Sequence, residues 1–306
     1  MLTYSRLAKK ARSFQKMTGL SVEQFERVVE MVRPYWDEAE RKRLCRPDRQ
    51  RAIGAGGKYR LGSLHDKLLV LFIYFRTYIT MEFLGYLFDL DRANICRLIR
   101  RLQPVVNEAA ILRGDKPKRD RHRRRKINNL EDFLQEYPEL ADLIVDVTEQ
   151  KIQRPKRKQK AYYSGKKKCH TLKNQVVINK AGEIIDVNRS VPGRNHDKNI
   201  WDNSAIARLL PAEISITGDS GYQGIQHDFP HATLPHKKTR GGPELSKKQK
   251  RQNRKISRTR VLVDQLIGCM KVFKILSDRY RGNRHKHSEI FKIIACVTNI
   301  KLGFVS

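Results

Sequence analysis

The segment DLIVDVTEQ, residues 142–150, interrupts a chain whose pattern is helical up to that point. Its apolar and β-branched residues are typical of a buried strand, but Asp146 lies in the middle of it. A carboxylate is costly to bury without a partner, so an ordinary core strand does not explain this residue. The segment therefore predicts a sheet that carries a charged group.

Three later segments have the same strand-like character: KCHTLKNQVVIN (168–179), EIIDVNRSV (183–191) and EISITGD (213–219). The turn NKAG, which contains Gly182, separates the first two and predicts a hairpin. The stretch DKNIWDNSAIARLL (197–210) has helical spacing, and further helices are predicted from Ser246 onward. Strands and helices in this order predict an α/β domain with a mixed sheet.

The N-terminal part of the chain predicts helices only. SVEQFERVVEM (21–31) has the pattern of an amphipathic helix, with Ser21 as N-cap and Gln24 completing a capping box. Residues 40–62 are rich in Arg and Gly and predict an exposed loop. The helical pattern then returns from Leu64 to Val106.

Two helical segments in this part, TMEFLGYLF and DRANICRLIRRL, are separated by Asp89 and Leu90, with Thr80 and Asp91 as candidate caps. The spacing matches a helix-turn-helix at about residues 80–103, whose second helix enters the major groove of DNA. The candidates for contact with DNA are polar residues of that second helix: Arg92, Asn94, Arg97, Arg100 and Arg101. An ordinary three-helix bundle with solvated charges is the alternative.

The charge of the chain indicates a polyanionic partner. Lys and Arg number 64 against 32 Asp and Glu, which gives a formal net charge of +32. A compact chain with this excess repels itself unless a polyanion is present, and nucleic acid is the usual one. The basic run RGDKPKRDRHRRRK (113–126) predicts a linker that is solvated or follows phosphates. A nucleic-acid packing protein of the ribosomal or chromatin type, without catalysis, stays open.

Membrane and secretory classes are disfavoured. The apolar run LLVLFIYF (68–75) is too short to span a bilayer, and no apolar region follows the basic N-terminus. No basic amphipathic anchor or lipidation signal is present. The five cysteines form no CxxC pair, so neither a zinc site nor a disulfide framework is indicated. These features predict a protein of the reducing cytoplasm that does not bind membranes.

A second acid, Asp219, ends a predicted strand at ITGDSGYQG. Gly218 and Gly221 allow the backbone to turn sharply beside it. The sequence DSG is also ordinary turn chemistry, so a turn residue is the alternative to a site residue here.

A third acid, Asp264, lies in RTRVLVDQLIGCMK (258–271). On a helix, Arg260, Asp264 and Lys271 fall within about 40° of one another, and apolar residues cover most of the remaining circumference. One explanation of this stripe is a structural salt bridge. The other is a cluster of three carboxylates, from Asp146, Asp219 and Asp264, at one edge of the sheet. Oxygen-only ligation suits Mg²⁺ or Mn²⁺, and two such ions about 4 Å apart stabilise an in-line phosphoryl displacement.

These segments resemble the DDE transposases of bacterial insertion sequences, in particular the group named after insertion sequence five. The resemblance extends from Leu64 to about Asn299. It rests on LIVDVTEQKIQRP with YYSGKKKCHTLKNQVVIN after it, VPGRNHDKNIW, ITGDSGYQG, and RTRVLVDQLIGCMK with FKIL and YR following. The last is the most specific, because Arg260, position 264 and Lys271 keep the spacing of the family's Arg, Glu and Lys. Ser257 stands where the family signature begins with Tyr.

The resemblance implies a ribonuclease-H-like catalytic fold, preceded by a helix-turn-helix region, in a cytoplasmic, nucleoid-associated bacterial protein. It implies binding to terminal inverted repeats, cleavage there with two Mg²⁺ or Mn²⁺ ions, and attack of the exposed 3′-hydroxyl on target DNA. Two DNA ends must be held together, so at least a homodimer is expected on DNA. The implied domains are a DNA-binding region (1–112), a basic linker (113–137) and a catalytic domain (138–306).

Carried over residue by residue, the resemblance makes Asp146, Asp219 and Asp264 the catalytic, metal-binding acids. Arg260 and Lys271 would contact DNA near the scissile phosphate or support the third acid. That acid is normally Glu in the family, and Asp is shorter by about 1 Å, a displacement that can cost on the order of 100-fold in rate. The alternative function is therefore a transposase-derived DNA-binding protein with weakened or absent catalysis.

Further contacts with DNA are expected around this site. The loop QRPKRKQKAYYSGKKK (153–168) interleaves aromatic with basic residues, which suits phosphate contact with stacking. Its candidates are Lys166, Lys167 and Lys168, and a solvated β-hairpin is the alternative. His196 and Asp197 are expected at the rim of the site, since they follow the third strand and begin the next helix. The alternative there is a helix cap supplied by Asn195 or Asp197.

Overall fold

The computed structural model describes residues 1–45, 50, 52, 59–115, 129–238, 241 and 243–304. The chain divides into two compact units. The first contains Met1–Ile111, Lys271–Asp278 and Lys292–Val305, and the second contains Leu112–Met270 and Arg279–Phe291. Residues 116–128 of the predicted linker lie outside the described part. The functional domain limits predicted from the sequence stay a prediction.

The first unit is helical. Its N-terminal part contains α1 (Tyr4–Ala8), α2 (Ala11–Thr18), α3 (Val22–Leu44), α4 (Leu64–Thr77), α5 (Met81–Phe88) and α6 (Arg92–Ala109). The capping box predicted for α3 is confirmed. The Ser21 hydroxyl accepts from the backbone N–H of Gln24 at 3.2 Å, and the Gln24 side chain accepts from the N–H of Ser21 at 2.9 Å. Nine of the 14 residues of α4 are buried, because the middle of the helix is apolar on every side.

The loop predicted for residues 40–62 begins later than expected. Helix α3 continues to Leu44, and ion pairs at helical spacing support its last turns, from Arg41 to Glu38 at 2.6 Å and from Arg43 to Glu40 at 2.8 Å. The Arg-rich composition was therefore a sign of a charged helix end as well as of a loop. Within this stretch, residues 46–49, 51 and 53–58 are outside the described part.

Helices α5 and α6 are joined by a short turn, as predicted for a helix-turn-helix. Thr80 caps α5 by accepting a hydrogen bond from the N–H of Phe83 at 3.2 Å, whereas Asp91 precedes α6 without a side-chain cap. The turn passes close over Gly85, where a Cβ would lie 2.4 Å from the carbonyl oxygen of Leu90. Only glycine allows this approach.

The second unit combines a sheet with helices. Its elements are α7 (Leu130–Glu136), β1 (Asp142–Lys151), α8 (Gln159–Tyr162), β2 (Tyr163–Ser164), β3 (Cys169–Asn179), β4 (Ile184–Val187), β5 (Val191–Pro192), α9 (Asp197–Asp202), β6 (Ser215–Thr217) and α10 (Lys247–Lys271). Two more helices follow, α11 (Lys274–Ser277) and α12 (His287–Leu302). Helix α11 belongs to the first unit, while α12 begins in the second unit and ends in the first.

The sheet is mixed, as predicted. Strand β1 lies between β3, which is antiparallel to it, and β6, which is parallel. Strands β2, β4 and β5 all pair with β3. The predicted hairpin between β3 and β4 is confirmed, and Gly182 has a positive φ of 87° in its turn.

Two predicted elements are shorter in the structure. The strand predicted for 183–191 is divided into β4 and β5, because the side chain of Asn188 accepts from the backbone N–H of Gln175 at 2.5 Å in place of a strand carbonyl. The helix predicted for 197–210 ends as α9 at Asp202. There the Asn203 side chain donates to the carbonyl of Asn199 at 2.8 Å, a local bond that competes with helix continuation.

The sheet separates an apolar core from a polar face. Leu143 and Val145 of β1 pack into a cluster that includes Ile216, Trp201 and other buried side chains of the second unit. Successive side chains of a strand point to opposite faces, so Asp146 points away from the side that Leu143 and Val145 occupy. None of the described helices is long and apolar enough to cross a membrane.

Candidate active site

Asp146 lies at the centre of β1, and its side chain is only 14% exposed. Its Oδ1 lies 3.3 Å from Nη2 of Arg260 on α10. Burial raises the pKa of Asp146 to about 6. Arg260 and the N–H of Val147 oppose this shift, whereas Asp219 and Asp264 add to it. The Asp146 carboxylate therefore experiences two further negative charges, even though a guanidinium contacts it.

Asp219 follows the parallel neighbour of β1. The last paired residues are Ile144 and Thr217, and two residues further along each chain stand Asp146 and Asp219. Parallel pairing thus brings both acids to one edge of the sheet. Asp219 Oδ1 also accepts from the N–H of Gly221 at 2.7 Å and so caps a short 3-10 helix. The turn chemistry considered from the sequence is present, and it orients this carboxylate.

Helix α10 supplies the third acid. Asp264 follows Arg260 by about one helical turn, so both lie on the same side of the helix. Arg260 pairs with Asp146, and no ion pair among the described residues includes Asp264, which is exposed. A salt bridge of Asp264 is therefore not the reason for the polar stripe. The Asp264 charge instead raises the pKa of Asp146, which places the three carboxylates in one electrostatic neighbourhood.

The donor chemistry of these acids fits a hard divalent cation, because every available ligand is a carboxylate oxygen. The carboxylates are, however, spaced widely in this structure. Among the described residues, no group of three or more His, Cys, Asp or Glu side chains lies close enough together to hold a metal ion. A cation at Asp146 would also have to compete with Arg260.

A fourth acid, Asp197, which the sequence predicted only at the rim of the site, lies beside Asp219. A Cβ on Gly221 would be 2.6 Å from Oδ2 of Asp197 and 2.9 Å from Oδ1 of Asp219, so these two oxygens are close neighbours. Asp197 is fixed by an ion pair with Lys173, whose Nζ lies 2.9 Å from Oδ1. The signal in the sequence was Gly221, the first glycine of DSGYQG, whose added Cβ would collide with the Asp197 carboxylate.

His196 precedes α9 as its N-cap residue, and its side chain is exposed and makes no capping hydrogen bond. The cap predicted from Asn195 or Asp197 is wrong. Asn195 instead donates to the carbonyl of Pro192 at 2.8 Å, and Asp197 pairs with Lys173. His196 therefore adjoins Asp197 in the chain with its imidazole free to meet a ligand, and its contact with DNA stays a prediction.

Tyr222 lies close enough to the acids for their charges to act on its hydroxyl. Its ring is fully buried, and its hydroxyl lies 3.4 Å from Oε1 of Gln175. Burial holds the pKa of Tyr222 well above its usual value, and the charges of Asp146, Asp197 and Asp219 reinforce this. The phenol of Tyr222 is therefore a neutral, buried group near the acids.

Lys166, Lys167 and Lys168 are exposed in the turn between β2 and β3. Lys168 adopts a positive φ of 52°, and the N–H of Lys167 donates to the hydroxyl of Ser164 at 3.2 Å. The loop is thus the β-hairpin that the sequence left as an alternative, with three lysines at its tip. Contact of these lysines with DNA stays a prediction.

The helix-turn-helix carries a basic groove of about 1570 Å³. Four of the five candidates on α6 line it: Arg92, Asn94, Arg97 and Arg101. Arg100 is exposed but is not among the lining residues. Arg101 is partly committed to the protein, because its guanidinium lies 4.9 Å from the ring centre of Trp36 and its Nε lies 3.7 Å from Glu40. Lys271 ends α10 and is counted with the first unit.

Comparison with known families agrees with this geometry. Residues 145–299, just over half of the chain, match the family described as DDE superfamily endonuclease, and this range contains all three acids. The chain belongs to the DDE superfamily endonucleases. Residues 59–110, which include α4, α5 and α6, match the family described as helix-turn-helix of DDE superfamily endonuclease.

Two curated relatives have the same character. One, named "Probable transposase for insertion sequence element IS702", from Microchaete diplosiphon, is 29% identical over 96% of this chain and 95% of its own length. Another, named "Putative transposase for insertion sequence element IS112", from Streptomyces albus G, is 25% identical over 89% of this chain and 88% of its own length. No solved structure matches the chain. These findings support a nuclease or transposase role for this DDE endonuclease.

Proposed function

We propose that the protein is a DNA transposase that binds the terminal inverted repeats of its element, hydrolyses a phosphodiester bond at each end and joins the 3′-hydroxyl to target DNA. The observation that carries this proposal is the coupling of three carboxylates from β1, the end of β6 and α10. Burial raises the pKa of Asp146, and the charges of Asp219 and Asp264 add to this rise. Such a cluster is unfavourable in an empty protein and favourable once cations bind.

The cofactor we propose is Mg²⁺ or Mn²⁺, as two ions held by Asp146, Asp219 and Asp264. When bound, such ions stabilise the attacking and leaving oxygens of an in-line displacement. Arg260 neutralises Asp146 in the metal-free protein and, on release, can contact the DNA phosphate, since a guanidinium matches phosphate geometry well. Asp219 is kept in place by its hydrogen bond from Gly221.

The proposed partners are duplex DNA, as inverted repeats and target, and a second copy of the chain on that DNA. Binding to DNA is supported by the helix-turn-helix match and by the exposed Arg92 and Arg97 in the groove of α6. In this proposal residues 1–112 bind DNA, residues 113–137 form a linker, and residues 138–306 form the catalytic domain. The protein acts in the cytoplasm, at the nucleoid. Lys166–Lys168, His196 and Lys271 are proposed as further DNA contacts.

A second candidate function rests on Asp264. Its side chain is one methylene shorter than the Glu usual at this place, and it is exposed without an ion-pair partner among the described residues. If the carboxylate stands back by about 1 Å, cleavage falls on the order of 100-fold, and what remains is a transposase-derived DNA-binding protein.

Strand cleavage of duplex DNA that ends in the element's own inverted repeat separates these functions. The parent, Asp264→Glu and Asp146→Ala would be compared with Mg²⁺ and with Mn²⁺. Cleavage by the parent and its loss in Asp146→Ala would support the transposase. Cleavage by Asp264→Glu alone would favour the DNA-binding protein. DNA binding without cleavage by any of the three would refute the catalytic proposal.

A further inference from the structure

The N-terminal half of α10 is an exposed and strongly basic helix. Seven of its side chains are exposed cations: Lys247, Lys248, Lys250, Arg251, Arg254, Lys255 and Arg258. None of them takes part in an ion pair among the described residues, and the whole of α10 contains a single acid, Asp264. Ile256 is the one buried residue in this half. Like charges at this density repel one another unless an anion is bound.

Four of these cations form one continuous face. At about 100° per residue, Lys247, Arg251, Arg254 and Arg258 fall within about 60° of one another on the helix circumference. We refer to these four residues as the basic face. Their face is roughly opposite the one that α10 buries with Ile256, Val263, Leu266, Ile267 and Met270. The basic face therefore points away from the core of the second unit.

This half of α10 is fixed to the protein by its uncharged residues. Asn253 accepts from the backbone N–H of His236 at 2.8 Å and donates to the His236 carbonyl at 2.9 Å. The side chain of Gln252 lies 2.8 Å from Nε2 of His236. These three hydrogen bonds hold the helix from its other side, so the cations are presented on a firm support rather than on a fraying end.

The shape and charge of the basic face suit a nucleic-acid backbone. From Lys247 to Arg258 the helix is about 16 Å long, which corresponds to about five phosphate steps of one strand when measured along the duplex axis. Contacts of Lys and Arg with phosphates give affinity that does not depend on sequence. Asp264 lies about 9 Å further along the helix axis than Arg258 and about 110° around the helix from the centre of the basic face, so DNA on the basic face would lie close to the carboxylates but on another side of α10.

We propose that the basic face of α10 binds the phosphate backbone of duplex DNA beside the bond that the carboxylates cleave. Its position beside the cleaved bond rests on the proposed function, whereas the binding of DNA does not. In this arrangement α10 has two tasks. Its first half holds the duplex on the side away from the core, and Arg260 and Asp264 in its second half, about 110° to 150° around the helix from the basic face, belong to the cleavage site on the side of the sheet.

The test replaces all four residues of the basic face with Gln, which removes four charges and keeps helix propensity. The matched control, Arg189→Gln, Arg208→Gln, Lys274→Gln and Arg279→Gln, removes four charges from exposed residues that lie outside residues 1–112 and are not among the proposed DNA contacts. Affinity for inverted-repeat duplex would be measured by fluorescence anisotropy in EDTA over a salt series, with circular dichroism to verify folding.

The basic-face variant should bind at least about 10-fold more weakly, and its salt slope should become shallower by about 3.6, since each of the four phosphate contacts contributes about 0.9. The control should lose no more than about 2-fold with an unchanged slope. An unchanged slope in the basic-face variant, or an equal loss in both variants, would overturn the proposal. The proposal would also be overturned if the basic-face variant bound anionic vesicles or acidic peptides more weakly than the parent but bound DNA as tightly as the parent.

This binding test is independent of cleavage, because it contains no divalent cation. If the basic-face variant loses affinity while the parent never cleaves DNA, the basic face stands and the catalytic proposal falls. If the parent cleaves DNA and the variant binds as tightly as the parent, the basic face falls and the catalytic proposal stands.

Discussion

Asp146 illustrates, at the scale of one residue, how a site is built at the expense of stability. Its carboxylate is buried in a strand, close to two other acids, and one guanidinium contacts it. Folding therefore favours the protonated form relative to the unfolded chain, and the pKa of Asp146 is about 6 instead of 3.8. A group with a raised pKa in the folded state contributes stability that is complete at low pH and lost as the pH rises through the folded pKa.

Replacing Asp146 with Asn should consequently stabilise the metal-free protein at pH 7.5 and not at pH 3.5. The gain at pH 7.5 should be up to about 3 kcal/mol, because one pKa unit corresponds to about 1.4 kcal/mol. Urea unfolding in EDTA at both pH values measures it. Asp142→Asn is the control, since Asp142 lies on the same strand and pairs with Lys180 at 2.8 Å. Equal gains at both pH values would contradict this account.

Gly221 tests the contact between Asp197 and Asp219. In Gly221→Ala the new methyl group would meet both carboxylates within 3 Å, so the Asp219 turn must shift. We expect cleavage to fall on the order of 100-fold, as for other displacements of about 1 Å, while the affinity for DNA stays within about 2-fold. Gly165→Ala is the control, because no atom lies within 4 Å of its added Cβ. Parallel loss of cleavage and affinity would point to unfolding instead.

At the scale of elements, the local signals in the sequence were reliable. The capping box of α3, the turn at Gly182 and the pair α5–α6 all depend on residues close together in the chain, and the structure contains each of them. The predicted elements that were too long are those in which a side chain forms a hydrogen bond with the backbone. Asn188 divides a strand and Asn203 ends a helix, because each substitutes a side-chain bond for a backbone bond.

The site shows the same limit. The three acids could be proposed from their positions in strands and on a helical stripe. The partner of Asp146, which is Arg260, lies 114 residues away, and Asp197 reaches Asp219 only through the packing at Gly221. No periodicity in the sequence encodes such contacts, because they depend on how distant elements pack.

Gly85 makes an element-scale prediction for the helix-turn-helix. A methyl group there would lie 2.4 Å from the Leu90 carbonyl, a backbone atom that can move only if the turn between α5 and α6 opens. Gly85→Ala should therefore lower the free energy of unfolding by about 1 to 3 kcal/mol and weaken DNA binding. Gly268→Ala in α10, where an added Cβ meets nothing within 4 Å, should instead raise stability by about 0.5 to 1 kcal/mol. Chemical denaturation of both variants measures the free energy of unfolding. A loss in Gly85→Ala with a gain in Gly268→Ala indicates strain at Gly85, whereas equal changes in both indicate a general effect of replacing glycine.

At the scale of the whole molecule, the net charge of +32 indicated a nucleic-acid partner, and the match to a helix-turn-helix family agrees with this prediction. The division of the chain was harder to read. Residues 271–278 and 292–305 belong to the helical first unit although they follow the catalytic segment in sequence. An apolar helix such as α12 gives no sign in its own residues of which core it will join.

The central claim, that the carboxylates of β1, β6 and α10 form a DNA-cleaving site, is tested most directly by one comparison. It measures the rate of Mg²⁺-dependent cleavage of inverted-repeat duplex by the parent, Asp146→Asn and Asp142→Asn. We predict that Asp146→Asn loses at least about 100-fold in rate with unchanged affinity for DNA, whereas Asp142→Asn cleaves like the parent. Equal cleavage by the parent and Asp146→Asn would contradict the claim.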